Sequence, residues 1–446
     1  MRIDKRCKII GLGVLFIVGS LPLFLKTEKP SPFNVILISI DALRADHLGC
    51  YGYKLDTSPN IDRFEKEATL FTQAISQGSV TAVALLSLYT STYPRTHGVY
   101  RMGYELNNRI PTLAQILKKN NYATAAIVCC IKYIQGLERG FDVFSDDGDV
   151  KADKITQKAI SWLEKNRYNK FFLWLHYFDP HGPYRPPSPY NRMFIDNFKL
   201  GKRNIPISKE MYYPIMAIPG YVAEDNITDV DYYISQYDGE IRFVDEQIGI
   251  LLRKIKELDL DKRSILIITA DHGELLGEHG IYFCHSTLYD QVLRIPLLVK
   301  CEKIIPSSKI VNQQVQAIDI VPTILALLHI PKGRHMQGKS LLPLILGKDS
   351  HLAVYAFSEN DWFGECIRAE GWKLMNRKRN NHKEYELYSL NSGELDNLID
   401  LEKEKFRFLK SKLDNWYKKT PINEPKECEP IAEEFKQLLK SLGYLQ

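Results

Sequence analysis

Two apolar runs that each end on an acidic residue constrain this chain more than any other feature. The first is Asn34-Val-Ile-Leu-Ile-Ser-Ile40, followed by Asp41. The second is Ser264-Ile-Leu-Ile-Ile-Thr-Ala270, followed by Asp271-His272-Gly273-Glu274. Both are rich in β-branched residues and have the length of a strand buried on both faces. Strands of that kind belong to a parallel sheet covered by helices, and such open sheets bind ligands beyond the carboxyl ends of their strands. Two carboxylates and an imidazole are therefore expected along one sheet edge. They form a mixed oxygen and nitrogen set suited to a divalent cation. A lone Asp-His-Gly is more often a turn, and the matching context of Asp41 argues against that here.

Between these runs, strand-like and amphipathic stretches alternate. Ser58-Pro59 predicts a helix through Ala68, with Ser at the cap and Pro at the first position. Pro111 opens another through Lys119, and a third is expected from about Asp153 to Lys165. Ile234, Tyr237, Ile241, Val244, Ile248, Leu251 and Ile255 recur at three- and four-residue steps, which marks one long helix leading into the second run. Ala123–Val128 and Phe171–Leu175 read as further strands. The alternation predicts an α/β fold, with a mostly parallel central sheet and helices on both faces. Residues 185–229 form one long irregular stretch rich in Pro and Tyr, and such loops are often functional. After about residue 350 the pattern changes to short strands and a Lys/Glu-rich helix, Leu401–Trp416, which predicts a small C-terminal α+β subdomain. The expected organisation is an N-terminal segment, 1–30; a main domain, 31–350; and a C-terminal part, 351–446.

The chain has 446 residues, 45% hydrophobic and 25% charged, enough for a large core. Its formal charge of +5 is small for that length and argues against a nucleic-acid partner. At the N-terminus, Arg2, Lys5, Arg6 and Lys8 precede an apolar run from Ile9 to Leu25. That pattern predicts a signal or membrane anchor, with the basic flank inside and the chain from Asn34 onward outside the cytoplasm. The protein is thus expected to be membrane-anchored or secreted. The 8 cysteines show no metal-ligand spacing. The adjacent Cys129 and Cys130, at the end of an apolar run, read as buried thiols.

Several segments carry a resemblance. NVILISIDALRADHLGCYGY, TSPNIDRFEKEATLF, SLYTSTYPRTHGV, FFLWLHYFDPHGPYRPP, SILIITADHGELLGEHG and HSTLYDQVLRIPLLV resemble the successive blocks of the sulfatase family. They occur in family order, from about Asn34 to about Leu346. Residues 386–401, ELYSLNSGELDNLIDL, resemble that family's small C-terminal subdomain. The resemblance implies the alkaline-phosphatase-like fold and one divalent metal (Mn2+, Ca2+ or Zn2+).

It also implies roles for particular residues. Thr81 stands where sulfatases carry the Cys or Ser that is oxidised to formylglycine. Threonine cannot become that aldehyde, because a secondary alcohol oxidises to a ketone. A metal-activated threonine hydroxyl can nonetheless attack phosphorus, and related phosphoglycerol transferases use a Thr here. Asp41, Asp271 and His272 would hold the metal with Thr81. His181 matches the family histidine that contacts the ester oxygens; His176 and His285 are further catalytic candidates. His97 and Arg44 are candidates for substrate contact or for holding the scaffold, and Asp179 for substrate contact or for orienting one of the two motif histidines. The chain also departs from the family pattern. Ala42 replaces the second Asp, Val83, Ala84 and Leu85 replace Pro-Ser-Arg, and Tyr100 replaces an Arg.

These readings converge on a hydrolase or transferase acting on an anionic ester, on a small molecule, glycan or lipid-linked carrier, with a phosphoester or phosphodiester favoured by Thr81. One alternative is a sulfuric ester hydrolase that works without formylglycine. Another, from a different class, is a non-catalytic binding protein on the same fold.

Overall fold

The computed structural model describes residues 33–427 apart from 209–214, 286, 349–353, 362, 370 and 380–381, together with 433, 436 and 437. The expected membrane segment, Ile9 to Leu25, lies outside the described residues. The described residues group as one compact unit.

The core is a nine-stranded sheet. Across it run Lys309–Val311, Thr69–Ile75, Arg294–Cys301, Ser264–Ala270, Asn34–Ile40, Phe171–Tyr177, Ala123–Val128 and Val143–Asp146, with Val315–Gln316 also paired to Thr69–Ile75. The two acid-tipped runs are neighbours at the centre. Asn34–Ile40 pairs in parallel with Ser264–Ala270 on one side and with Phe171–Tyr177 on the other. Arg294–Cys301 alone runs antiparallel to both of its neighbours. Every residue of the three central strands is buried, so their continuous apolar sequence reflects helices on both faces.

The long helix is Val230–Glu257, and its packing against Ala152–Asn166 and Pro59–Glu65 covers one face. It also fixes the backbone beside the site. Tyr237 Oη donates to the Ala42 carbonyl at 2.7 Å and accepts from the Arg44 N–H at 2.9 Å. That clamp holds the turn after Asp41, where Ala42 has φ 53°. Beyond the main sheet, Ala356–Asn360, Gly364–Ala369, Trp372–Arg379 and His382–Ser389 form a four-stranded antiparallel sheet that packs with the Lys403–Lys419 helix. This is the small α+β element expected from the sequence.

Element boundaries moved where local bonding overrode simple signals. The helix after Ser58 ends at Glu65, not Ala68, because the chain turns and starts a strand at Thr69. Ser58 does not cap that helix with its side chain. Its hydroxyl accepts from the Gly49 N–H and donates to Asp62. The next helix starts at Leu113, not Pro111. Thr112 caps it through a reciprocal pair of bonds with Gln115, which satisfies two otherwise orphaned donors.

Candidate active site and metal centre

Strand register builds the site. Ile40 lies opposite both Ala270 and Tyr177, and Ser39 lies opposite His176. The residues that follow the two acid-tipped strands, Asp41 and Asp271, therefore emerge side by side, with His176 alongside. The strand expected to end at Leu175 continues to Tyr177, so His176 is a strand residue.

Thr81 arrives from elsewhere. It is the first residue of a ten-residue helix, Thr81–Thr90, that is buried along its whole length. Its hydroxyl lies 3.5 Å from Asp41 Oδ2 and 3.3 Å from His272 Nε2. At a helix N-terminus, unsatisfied N–H groups and the dipole both favour an incoming anion. His272 Nε2 lies 3.5 Å from Asp41 Oδ1 and 3.4 Å from Asp271 Oδ2, and His176 Nε2 lies 3.6 Å from Asp41 Oδ2. Asp41, His176 and Asp271 offer ligand atoms that all lie within 4.8 Å of one another.

The outer bonds fix which nitrogens face inward. His272 Nδ1 donates to the Gly273 carbonyl at 2.9 Å, His181 Nδ1 to the Gly182 carbonyl at 2.8 Å and His285 Nδ1 to the Ser79 carbonyl at 2.9 Å. A carbonyl can only accept, so each Nδ1 carries the proton and each Nε2 presents a lone pair to the centre. Backbone-anchored imidazoles of this kind are the usual partners of bound metals. His181 and His285 face each other, Nε2 to Nε2, at 3.3 Å, and the His285 ring stacks on His272 with centroids 4.4 Å apart. None of these seven side chains is more than 6% exposed.

Burial alone would neutralise such a cluster. For Asp41, burial opposes ionisation, but His181, His176 and His272 outweigh it and hold the carboxyl well below its usual range. Asp271 is pushed up to about 6, first by burial and then by the Asp41 carboxylate. Burial, then neighbouring His272, drive the His285 imidazole far down. Asp271 Oδ2 and His176 Nε2 are buried without a hydrogen bond, which fits a cation between them. The donor set, two carboxylates with imidazoles and a hydroxyl, suits a divalent metal.

Three expected substrate contacts are engaged elsewhere. Arg44 pairs with Asp46 at 2.8 Å and Glu278 at 2.7 Å and donates to the Glu274 carbonyl. His97 bonds Ser87 and the Val99 N–H inside the scaffold. Asp179 accepts from Lys151 at 2.7 Å and from the Ala152 N–H at 3.0 Å, which anchors the turn that carries His181. Their polar atoms hold the fold around the site. Leu85 and Ala42 are fully buried, so the departures from the family pattern place no charge there.

Other contributors went unnoticed in the sequence. Ser39 bonds His176 Nδ1 at 2.8 Å and accepts from Trp174 Nε1 at 2.9 Å. Asn360, on the C-terminal sheet, donates to Ser79 Oγ at 2.6 Å, two residues before Thr81. Nothing local in the sequence signalled the first or the second.

The sulfatase profile matches residues 33–330, and the C-terminal profile of N-sulphoglucosamine sulphohydrolase matches residues 277–419. The chain belongs to the sulfatase family. It is 26% identical over 432 residues to the uncharacterized sulfatase YidJ of Escherichia coli, covering 82% of this chain and 83% of that protein. It is 28% identical over 325 residues to human iduronate 2-sulfatase, covering 59% of each. Among solved structures, BT4656 in complex with its substrate D-glucosamine-2-N,6-O-disulfate superposes with a TM-score of 0.75 at 19% identity, covering 88% of this chain and 99% of that one. The phosphonate monoester hydrolase from Silicibacter pomeroyi gives 0.73 at 20% identity, covering 86% and 95%. The α/β fold with its mostly parallel sheet is thus that of the alkaline-phosphatase-like enzymes, and the chain is an ester hydrolase.

Proposed function

We propose that this enzyme cleaves or transfers a phosphodiester through Thr81. The observation that carries this is the place of the Thr81 hydroxyl, at a helix N-terminus and within 3.5 Å of Asp41 and His272. A divalent metal held by Asp41, Asp271, His272 and Thr81 would lower the hydroxyl's pKa and neutralise charge on the ester. The Thr81 oxygen forms a bond to phosphorus while the bond to the leaving alcohol breaks. The proton that the Thr81 hydroxyl gives up is taken by the bare Nε2 of the His181–His285 pair and passes to the leaving oxygen. Water or an acceptor alcohol then releases the threonyl ester. The buried Leu85 and the tyrosine at Tyr100, in place of two arginines, leave less positive charge, which suits a monoanionic diester better than a dianionic monoester.

A sulfuric ester hydrolase without formylglycine is the second reading, supported by the family and by relatives named sulfatases. The retained cluster and the family both favour an enzyme over a non-catalytic binding protein. We further propose that the chain is anchored or exported through Ile9–Leu25, with the site outside the cytoplasm. Among the described residues no helix is long and apolar enough to cross a membrane.

The test pairs bis(4-nitrophenyl) phosphate with 4-nitrophenyl sulfate. Faster turnover of the phosphodiester, and an acid-stable phosphoryl adduct on the Thr81 peptide after a quench, are expected. Turnover of the sulfate ester alone would establish the second reading. No turnover of either across a range of metals would favour the binding protein.

A further inference from the structure

We propose that His176 is a direct metal ligand that takes the place of the carboxylate missing at Ala42, and that it shifts the site from calcium toward metals that accept imidazole ligands, zinc first and manganese next. This rests on the reading that the cluster holds a divalent cation, but not on the identity of the ester.

Four observations converge. His176 is fully buried, and its Nε2 makes no hydrogen bond. Such a buried polar atom is costly unless something unrecorded satisfies it. The same atom lies 3.6 Å from Asp41 Oδ2 and belongs to the group of three whose ligand atoms sit within 4.8 Å. Asp271 Oδ2, on the other side, is equally buried and without a hydrogen bond.

The outer shell sets the tautomer. Trp174 Nε1 donates to Ser39 Oγ at 2.9 Å, and the Ser39 hydroxyl donates to the Leu175 carbonyl at 3.3 Å. Ser39 then accepts the Nδ1 proton of His176 at 2.8 Å, which leaves Nε2 bare and turned toward the carboxylates. An imidazole oriented in this way by its second nitrogen is the ordinary state of a metal-bound histidine.

The spacing also fits. Ligand atoms roughly 2.1 Å from a small metal at tetrahedral angles lie about 3.4 Å apart. The pairs Thr81–His272, Thr81–Asp41, His272–Asp41, His272–Asp271 and His176–Asp41 are 3.3 to 3.6 Å apart, and the ligand atoms of Asp41, His176 and Asp271 all lie within 4.8 Å of one another. Calcium takes 6–8 oxygens at longer range. Losing a carboxylate at 42 and gaining an imidazole from the next strand moves the site away from that preference. Register makes the exchange possible, because Ser39 and His176 are direct partners across the two strands.

The test measures metal binding by the full chain without substrate. Metal-stripped wild type and His176→Gln, His176→Asp and Ser39→Ala variants would be titrated with Mn2+, Zn2+ and Ca2+. Nitrogen couplings would also be read by pulsed electron paramagnetic resonance of the Mn2+-loaded protein. Two coordinated imidazoles are expected in the wild type and one in His176→Gln. Mn2+ affinity should fall at least about tenfold in His176→Gln and less in Ser39→Ala. His176→Asp should raise Ca2+ affinity relative to Mn2+. One imidazole coupling in the wild type would overturn the proposal even if the variants fail to fold. So would unchanged Mn2+ affinity in a folded His176→Gln. Loss of the phosphodiester reading leaves all these results intact, whereas a folded wild type that binds none of the metals would remove the shared premise.

Discussion

Lys151→Met isolates the device that holds the His181 turn. The Lys151 ammonium donates to Asp179 at 2.7 Å and to Glu240 at 3.0 Å, and the two carboxylate side chains are 1% and 0% exposed. Ala152 N–H donates to Asp179 and Arg185 N–H to Glu240. Removing one partner of a buried ion pair costs about 3–5 kcal/mol, because a charge is left behind. Lys151 is itself 40% exposed, so solvent screens its field and a loss of about 1–3 kcal/mol is expected. With an unfolding entropy of roughly 0.9 kcal/mol/K for a chain near 400 residues, that is a fall in Tm of about 1–3 °C. Burial already pushes Glu240 up to about 7 with Lys151 in place. Without the cation, Asp179 and Glu240 rise further above their unfolded values. The native state then binds more protons than the unfolded one, and stability falls as pH rises through that window. Calorimetry at pH 5 and pH 8 should show a small deficit at the first and the full one at the second. Lys151→Met/Glu240→Gln should recover part of it at pH 8. An equal loss at both pH values, or none at pH 8, would refute the assignment of this lysine as the counter-charge.

Thr81→Ala should change stability by no more than about 1 kcal/mol, since its hydroxyl contacts are long and alanine suits a helix start. Turnover should drop at least about a thousandfold, near 4 kcal/mol in barrier, with Thr81→Ser partly active; turnover that survives in Thr81→Ala defeats the nucleophile. Burial lowers the His97 imidazole to about 3 from 6.5. Because the unfolded chain takes up a proton that the native one refuses, His97 should steepen the loss of stability as pH falls from 6.5 toward 3, by up to about 1.4 kcal/mol per pH unit. Denaturant titrations of wild type and His97→Gln should show that slope only in the former. Full-length protein should sediment with membranes and a chain starting at Pro30 should not, as read by fractionation and immunoblotting; full-length protein in the cytosolic fraction would count against export.

The parts of the site that were legible are those whose signal is local. A fully buried parallel strand must be apolar throughout, so a carboxylate at its end stands out. That exposed Asp41, Asp271 and His272, and it also exposed the sheet. Thr81 was found through resemblance alone, since a threonine at a helix start is otherwise unremarkable. The features that were not legible share one cause. His176 was placed after the strand expected to end at Leu175. It stays in the strand because Ser39, 137 positions away, satisfies its Nδ1. Arg44, His97 and Asp179 carry the residue types of an active site, and their partners Glu278, Ser87 and Lys151 are set by packing that no single stretch encodes.

Ala42 shows how such non-local facts bear on function. Read in the sequence, it is a lost ligand and an argument for decay. In the fold its left-handed turn is pinned by Tyr237, and the carboxylate before it faces an imidazole delivered by the neighbouring strand. A site drifting without selection would leave its remaining buried carboxylates without counter-charges, which is costly. Here four imidazoles, each tied by its Nδ1 to a carbonyl or hydroxyl, surround two carboxylates and one hydroxyl. Such an arrangement suits a shared cation, which supports the proposed change of metal preference in a working enzyme.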